Sequence, residues 1–199
     1  MTIGRYIAEQ FGKPVGIGGR IATWLMNIGN RRMYLKCRDI VLEAAAEKVL
    51  DVGFGNGYML NMLRKQRKNI QLYGIDISED ACRMVTGRPG REAELRVGCI
   101  GDLKFEDACF DVIYTINTIY FWSDIEKVLE EIERILVPGG LFINFCYTKE
   151  CLDKLNCTRY GFNKMSCQQM LRLHSDVGFL TVELADIRKG RSFYIICRK

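Results

Sequence analysis

Apolar positions along this chain repeat at two periods, and each change of period marks an element. From residue 21, Ile21, Trp24, Leu25 and Ile28 share one helical face. After Asn30, a residue type that opens helices, Tyr34, Cys37, Val41 and Leu42 repeat at the same spacing. Two helices are therefore expected over the first forty-odd residues, behind a glycine-rich, irregular stretch at 1–19. Val49, Leu50 and Val52 form a short apolar run that reads as a buried strand, and Met59, Leu60, Met62 and Leu63 start a helix soon after. A second strand runs from Ile70 to Ser78. Ser78 is placed as an N-cap, with Glu79 and Asp80 in the first turn of the next helix.

Further strands are expected at Glu94–Gly98 and Phe110–Asn117. Ser123 and Glu126 are spaced as a capping box, opening a helix whose inner face is Ile125, Val128, Leu129, Ile132, Ile135 and Leu136. Pro138-Gly139-Gly140 should stop that helix before a fifth strand at Leu141–Phe145. Residues 147–165 read as a polar surface excursion. A second capping box, Ser166 and Gln169, opens a helix that Gly178 closes, and a hairpin at 180–187 and 192–198 ends the chain. Strands alternating with helices make this an α/β chain. Its 199 residues suffice for one sizeable core.

The formal charge of +5 is mild. Lys and Arg cluster before residue 40, which reads as a solvated helix face more than as a nucleic-acid footprint. The first ten residues hold Arg5 and Glu9 and no apolar core, so no signal peptide is expected. No apolar run reaches the ~20 residues that span a bilayer. Nine cysteines without a C-x-x-C pair point to reduced thiols in a cytoplasmic setting and to no structural metal site.

The candidate chemistry starts at Asp51-Val52-Gly53-Phe54-Gly55-Asn56-Gly57, a strand, a tight turn and a helix start. The spacing is D-x-G-x-G-x-G. A dinucleotide fingerprint would need its third glycine at position 58, which is Tyr58. Asp51 at the end of a buried strand requires a partner, and a ligand ammonium group supplies one. Asp76 ends the second strand, where an acid accepts both hydroxyls of a ribose.

This motif resembles the first motif of the class I S-adenosylmethionine-dependent methyltransferases. The resemblance, which covers nearly all of 47–199, implies a Rossmann-like seven-stranded sheet with helices on both faces and a C-terminal antiparallel hairpin. It implies S-adenosyl-L-methionine as cofactor. Gly53, Phe54, Gly55 and Gly57 would hold its methionine part, with Asp51 facing the amino group and Asp76 on the ribose, and Ile77 would also belong to the cofactor site. The register set by Leu103-Lys104-Phe105 puts Cys99 where the family commonly has an adenine-binding Asp. Adenine is then expected against backbone at Cys99 and Ile100, with Asp102 as a substitute only if the loop rearranges. Thr115 and Asn117 complete the cofactor set.

Residues 1–46 become an N-terminal helical cap or lid, and 47–199 the methyltransferase domain. The acceptor pocket is expected from Phe11, Trp24, Tyr120 and Trp122, and Tyr120 is the one candidate catalytic side chain. His174, the only histidine, is read as structural. Asn117-Thr118-Ile119 does not match the Asn-Pro-Pro-Tyr of amino-methylating nucleic-acid enzymes. A small-molecule acceptor is therefore favoured, handled by a monomer or homodimer. A nucleotide-linked oxidoreductase and a non-catalytic cofactor-binding module are the competing readings, with a metalloid methyltransferase behind them.

Overall fold

The computed structural model describes residues 16–67, 69–86, 93–102 and 105–199, with side chains from Met26 onward except at Asp102. Seven strands form one sheet in the order β3-β2-β1-β4-β5-β7-β6. They are β1 (Lys48–Val52), β2 (Gln71–Asp76), β3 (Ala93–Val97), β4 (Phe110–Ile116), β5 (Leu136–Tyr147), β6 (Thr181–Arg188) and β7 (Ser192–Arg198). The first five run parallel, and β7 lies antiparallel to both β5 and β6. The order reverses between β1 and β4, where open α/β sheets place their ligands.

Successive residues of the central strands feed opposite layers, as the two-residue strand period requires. Val49, Val112, Tyr114, Ile143 and Phe145 face α1 (Gly16–Glu43), α2 (Tyr58–Gln66) and α3 (Glu79–Thr86). Leu50, Ile113 and Phe142 face α4 (Ile125–Ile135), the short α5 (Lys149–Asp153) and α6 (Cys167–Ser175). Asp111 fixes where β1 begins. Its Oδ2 accepts from the backbone N–H of Glu47 (2.9 Å) and Lys48 (2.7 Å).

Four sequence expectations need correction. The two N-terminal helices are one helix of 28 residues, because Gly29 is tolerated within it and no proline interrupts it. Asn30 is therefore no cap. It is buried in mid-helix, and distant side chains satisfy it. The N-cap of α4 is Asp124, which accepts from Lys127 N–H, in place of Ser123. Pro138-Gly139-Gly140 does not lie outside the sheet but inside β5. The pairing slips from Phe110↔Leu136 to Val112↔Leu141, and Gly139 donates to Lys199 O at 2.8 Å. The excursion at 147–165 carries α5 and a 3-10 turn at Asn156–Arg159.

Two capping signals and the structural role of His174 match. Ser78 Oγ accepts from Ala81 N–H at 3.2 Å, and the Ser166–Gln169 capping box has both of its hydrogen bonds. His174 is buried and bonded to Met170 O and Asn144, so its role is structural. Burial lowers its pKa to about 4, leaving the ring neutral. No helix among the described residues is long and apolar enough to cross a membrane, and no group of ligating side chains among them could hold a metal ion. The cap segment before Gly16 lies outside the described residues. From Met33 onward, α1 belongs to the core, with Met33, Cys37, Ile40 and Val41 buried against the sheet.

Candidate active site

A cleft of about 370 Å³ opens at the carboxyl ends of β1, β2 and β4, within the size range of small-ligand sites. Its floor is the glycine turn after β1. Gly53, Gly55 and Gly57 all adopt left-handed backbone, with φ of 81°, 53° and 68°, which side chains rarely tolerate. Their surroundings differ. A Cβ on Gly53 would overlap the Thr118 side chain, whereas one on Gly55 would meet nothing within 4 Å and would project into open space. Gly57 is the N-cap of α2 and is not among the residues lining the cleft. Phe54 lines the cleft but is mostly buried, because its ring lies where a Cβ on Gly74 would come within 2.7 Å of it.

Two carboxylates flank this turn. Asp51 is 3% exposed, and its Oδ2 accepts from Tyr114 O–H at 2.9 Å. No cation among the described residues pairs with it. Burial raises its pKa to about 8, against the Tyr114 hydrogen bond and with a smaller push from Asp76. Asp76 accepts from Gly55 N–H (2.8 Å) at Oδ2 and from Ser78 N–H (2.9 Å) at Oδ1. Burial raises its pKa too, and the two backbone hydrogen bonds oppose the rise. Each Asp76 oxygen keeps a second lone pair for a ligand hydroxyl. Ile77, Gly98, Cys99 and Ile100 continue the wall beyond Asp76.

The opposite wall combines α1 with the end of β4. Met26, Asn27, Asn30 and Tyr34 come from the helix; Ile116, Asn117, Thr118, Phe121, Trp122 and Ser123 come from β4 and the turn after it. Asn117 sits at φ 60°, a left-handed position that Asn tolerates better than most residues. Its Nδ2 donates to Asn30 Oδ1 at 3.0 Å, and the same oxygen accepts from Tyr147 O–H at 2.9 Å. Tyr34 donates to Asn27 Oδ1 at 3.2 Å, and its ring lies 5.0 Å from that of Tyr58.

The site residues expected from sequence thus divide. Asp51, Gly53, Phe54, Gly55, Asp76, Ile77, Cys99, Ile100, Asn117 and Trp122 come together around the cleft. Thr115 lies fully buried behind the floor, where its hydroxyl donates to Val52 O at 2.8 Å. Tyr120 needs correction. It is 3% exposed and absent from the lining, and its oxygen accepts from Tyr147 N–H at 2.6 Å. Burial holds its hydroxyl well above the ordinary range, so it cannot serve as a base there. Its neighbours Phe121 and Trp122 face the cleft in its place. Phe11, the Trp24 side chain, Asp102's side chain and Leu103-Lys104 lie outside the described residues. Asn27, Asn30, Tyr34, Thr118 and Phe121 line the cleft without a sequence motif to mark them. Only the unusual Asn30 within an apolar helical pattern hinted at them.

Comparison with known proteins agrees with this geometry. Residues 50–144 match the methyltransferase domain family. An uncharacterized methyltransferase, YdaC, of Bacillus subtilis is 32% identical over 95 residues, covering 47% of this chain and 52% of the relative. The demethylmenaquinone methyltransferase of Thermotoga maritima is 30% identical over 105 residues, covering 53% and 45%. The chain thus spans about half the length of these curated relatives. A Thermotoga maritima structure described as a SAM-dependent methyltransferase superposes with a TM-score of 0.70 at 19% identity, covering 98% of this chain and 99% of that one. The plantazolicin methyltransferase in complex with SAH gives 0.77 at 13% identity, covering 98% and 95%. Both are likenesses of fold. Residues 50–144 thus match the methyltransferase domain family, and with the reversed strand order and the terminal antiparallel hairpin the described chain has the fold of the class I S-adenosylmethionine-dependent methyltransferases.

Proposed function

We propose that the protein transfers the methyl group of S-adenosylmethionine to a small-molecule acceptor held between α1 and the end of β4. The observation that carries this reading is the open space at left-handed Gly55, flanked by the buried carboxylate of Asp51 and the half-buried carboxylate of Asp76. Asp51, without a cation of its own, faces the cofactor's ammonium group. Asp76 accepts from the ribose hydroxyls, and Ile77, Cys99 and Ile100 enclose the adenine. Bound there, the cofactor supplies an electrophilic methyl carbon on a sulfonium. The chain's part is to align and to exclude water. Asn117 and Asn30 fix the wall on the acceptor side, while Trp122 and Phe121 give it an aromatic face that tolerates positive charge. A narrow cleft walled by a helix suits a small molecule and not a nucleic-acid duplex.

Calorimetric titration tests the reading. S-adenosylmethionine and S-adenosylhomocysteine should bind with one site per chain and NAD should not; binding of NAD in their place would overturn it. Cys99→Asp tests the placement of the adenine. A carboxylate at that position gains a hydrogen bond of about 0.5–1.5 kcal/mol, so the cofactor should bind roughly two- to tenfold more tightly. Unchanged affinity would move the adenine away from Cys99.

A further inference from the structure

On the face of β4 that α1 covers, a tyrosine stands between two aliphatic residues, Val112 and Ile116. The Tyr114 ring is fully buried there, in one layer with Met33, Cys37 and Val41. Phenylalanine would fill that space without taking a hydroxyl out of water. The hydroxyl has a specific destination. Strand pairing sets Tyr114 directly beside Asp51, so both side chains leave the sheet on one face, and Tyr114 O–H donates to Asp51 Oδ2 at 2.9 Å. Asp51 lines the cleft and Tyr114 does not, so the tyrosine bears on the site through the carboxylate.

Resting on the methyl-transfer reading above, we propose that Tyr114 is a positioning residue of the cofactor site: its hydroxyl fixes the Asp51 carboxyl group and favours the ionised form that takes the ligand's ammonium group. The hydroxyl itself stays protonated, because burial and the neighbouring carboxylate hold it well above the ordinary phenol range. It is therefore a donor throughout the neutral range, and a donor stabilises the ionised carboxylate more than the neutral acid. Burial opposes this and raises the Asp51 pKa to about 8, so ionisation is a cost that binding must overcome. Asp76, at the end of β2, adds a like charge that increases the cost. Cys37 and Tyr34 of α1 also face Asp51, as a thiol and a phenol that burial keeps neutral, and Tyr58 of α2 packs on Tyr34 with ring centroids 5.0 Å apart. S-adenosylmethionine brings two cations, its ammonium and its sulfonium. Both favour ionised Asp51, and the ligand's own carboxylate opposes them. Tyr114 and the ligand's cations act in the same direction, so removing the hydroxyl raises the pH at which the site binds.

Calorimetry of two probes on the native full chain and on Tyr114→Phe, between pH 6 and 9, tests the inference. S-adenosylhomocysteine carries the ammonium group; 5′-methylthioadenosine shares its adenosine and thioether but lacks the amino acid. At pH 7 Tyr114→Phe should bind S-adenosylhomocysteine roughly tenfold or more weakly than the native chain, and its affinity should climb about one pH unit higher. Titration of the ligand itself cancels in the ratio of the two proteins at each pH. Affinity for 5′-methylthioadenosine should differ by less than about twofold, which a cleft that had merely lost its packing would not preserve. In an Asp51→Asn background, with no carboxylate left to ionise, Tyr114→Phe should change S-adenosylhomocysteine affinity by less than about twofold. Equal S-adenosylhomocysteine profiles for the native chain and Tyr114→Phe overturn the inference, as does an equal loss for both probes. If phenylalanine leaves the chain unfolded, Tyr114→Met, whose flexible side chain adapts to irregular space, carries the same comparison. A native chain that fails to bind S-adenosylhomocysteine removes the methyl-transfer reading itself. Native binding whose pH profile Tyr114→Phe leaves in place removes only the role of Tyr114.

Discussion

Asp51→Asn binds S-adenosylmethionine at least tenfold more weakly than the native chain, yet the ligand-free variant is the more stable protein at pH 8. Both expectations come from one buried carboxyl group. A charge-assisted hydrogen bond to the cofactor's ammonium contributes about 1.5–3 kcal/mol, equivalent to roughly ten- to hundredfold in affinity. Without that ligand, burial raises the Asp51 pKa from 3.8 to about 8. The folded chain then keeps a proton that the unfolded chain releases above about pH 4. This group's contribution to stability is fully present at low pH and is lost as pH rises from about 4 to about 8, by up to about 1.4 kcal/mol per pH unit. Asparagine removes that loss. Thermal melts of the ligand-free proteins between pH 5 and 9 should show the native chain falling further than the variant. Native cofactor affinity should climb over the same range, because the ammonium requires Asp51 ionised. A native chain whose affinity is flat from pH 6 to 8 would take Asp51 out of contact with the cofactor.

The second large effect separates two glycines of one turn. Gly53→Ala forces a left-handed alanine, costing about 1–2 kcal/mol, and drives its Cβ into Thr118. Overpacking adds about 1–3 kcal/mol, and for a chain of this length the melting temperature should drop by about 5 °C or more. A Cβ at Gly55 meets no protein atom within 4 Å, so the stability loss of Gly55→Val should come mainly from the backbone strain. Its side chain occupies the space proposed for the cofactor, so binding should fall by more than about a hundredfold, below calorimetric detection. Thermal melts and titrations of both variants check the pair. A Gly55→Val protein that keeps native cofactor affinity would show that the turn does not hold the ligand.

The parts of the site readable from sequence are those fixed by local chain geometry. Asp51, the three glycines and Asp76 lie at strand ends and in a tight turn, where spacing alone sets the backbone conformation. The wall of the cleft opposite them depends on distant partners. Asn30 resembles a helix cap until Asn117 and Tyr147, 87 and 117 residues away, satisfy it inside an unbroken helix. Its position after a strand end points Tyr120 at the cleft. A 3-10 turn at Ile119–Phe121 rotates it inward and its two successors outward, which no two- or three-residue period signals. Local propensity makes Pro138-Gly139-Gly140 a break, because it cannot see the Lys199 carbonyl that receives Gly139. Propensity is outvoted wherever a tertiary partner is available.

The unbroken helix α1 has one more consequence. At 28 residues it is about 42 Å long, and a single rigid rod carries both sheet-anchoring residues and part of the cleft wall. Met33 and Cys37 lie in the core within one or two turns of Asn30, on the same rod. Acceptor choice and folding strength are consequently inherited together. A substitution at Asn27 or Asn30 is expected to disturb the neighbouring anchor as well as the wall, because both lie on one helix. Variation in acceptor range then comes more readily from replacing this helix as a block than from changing its residues one at a time.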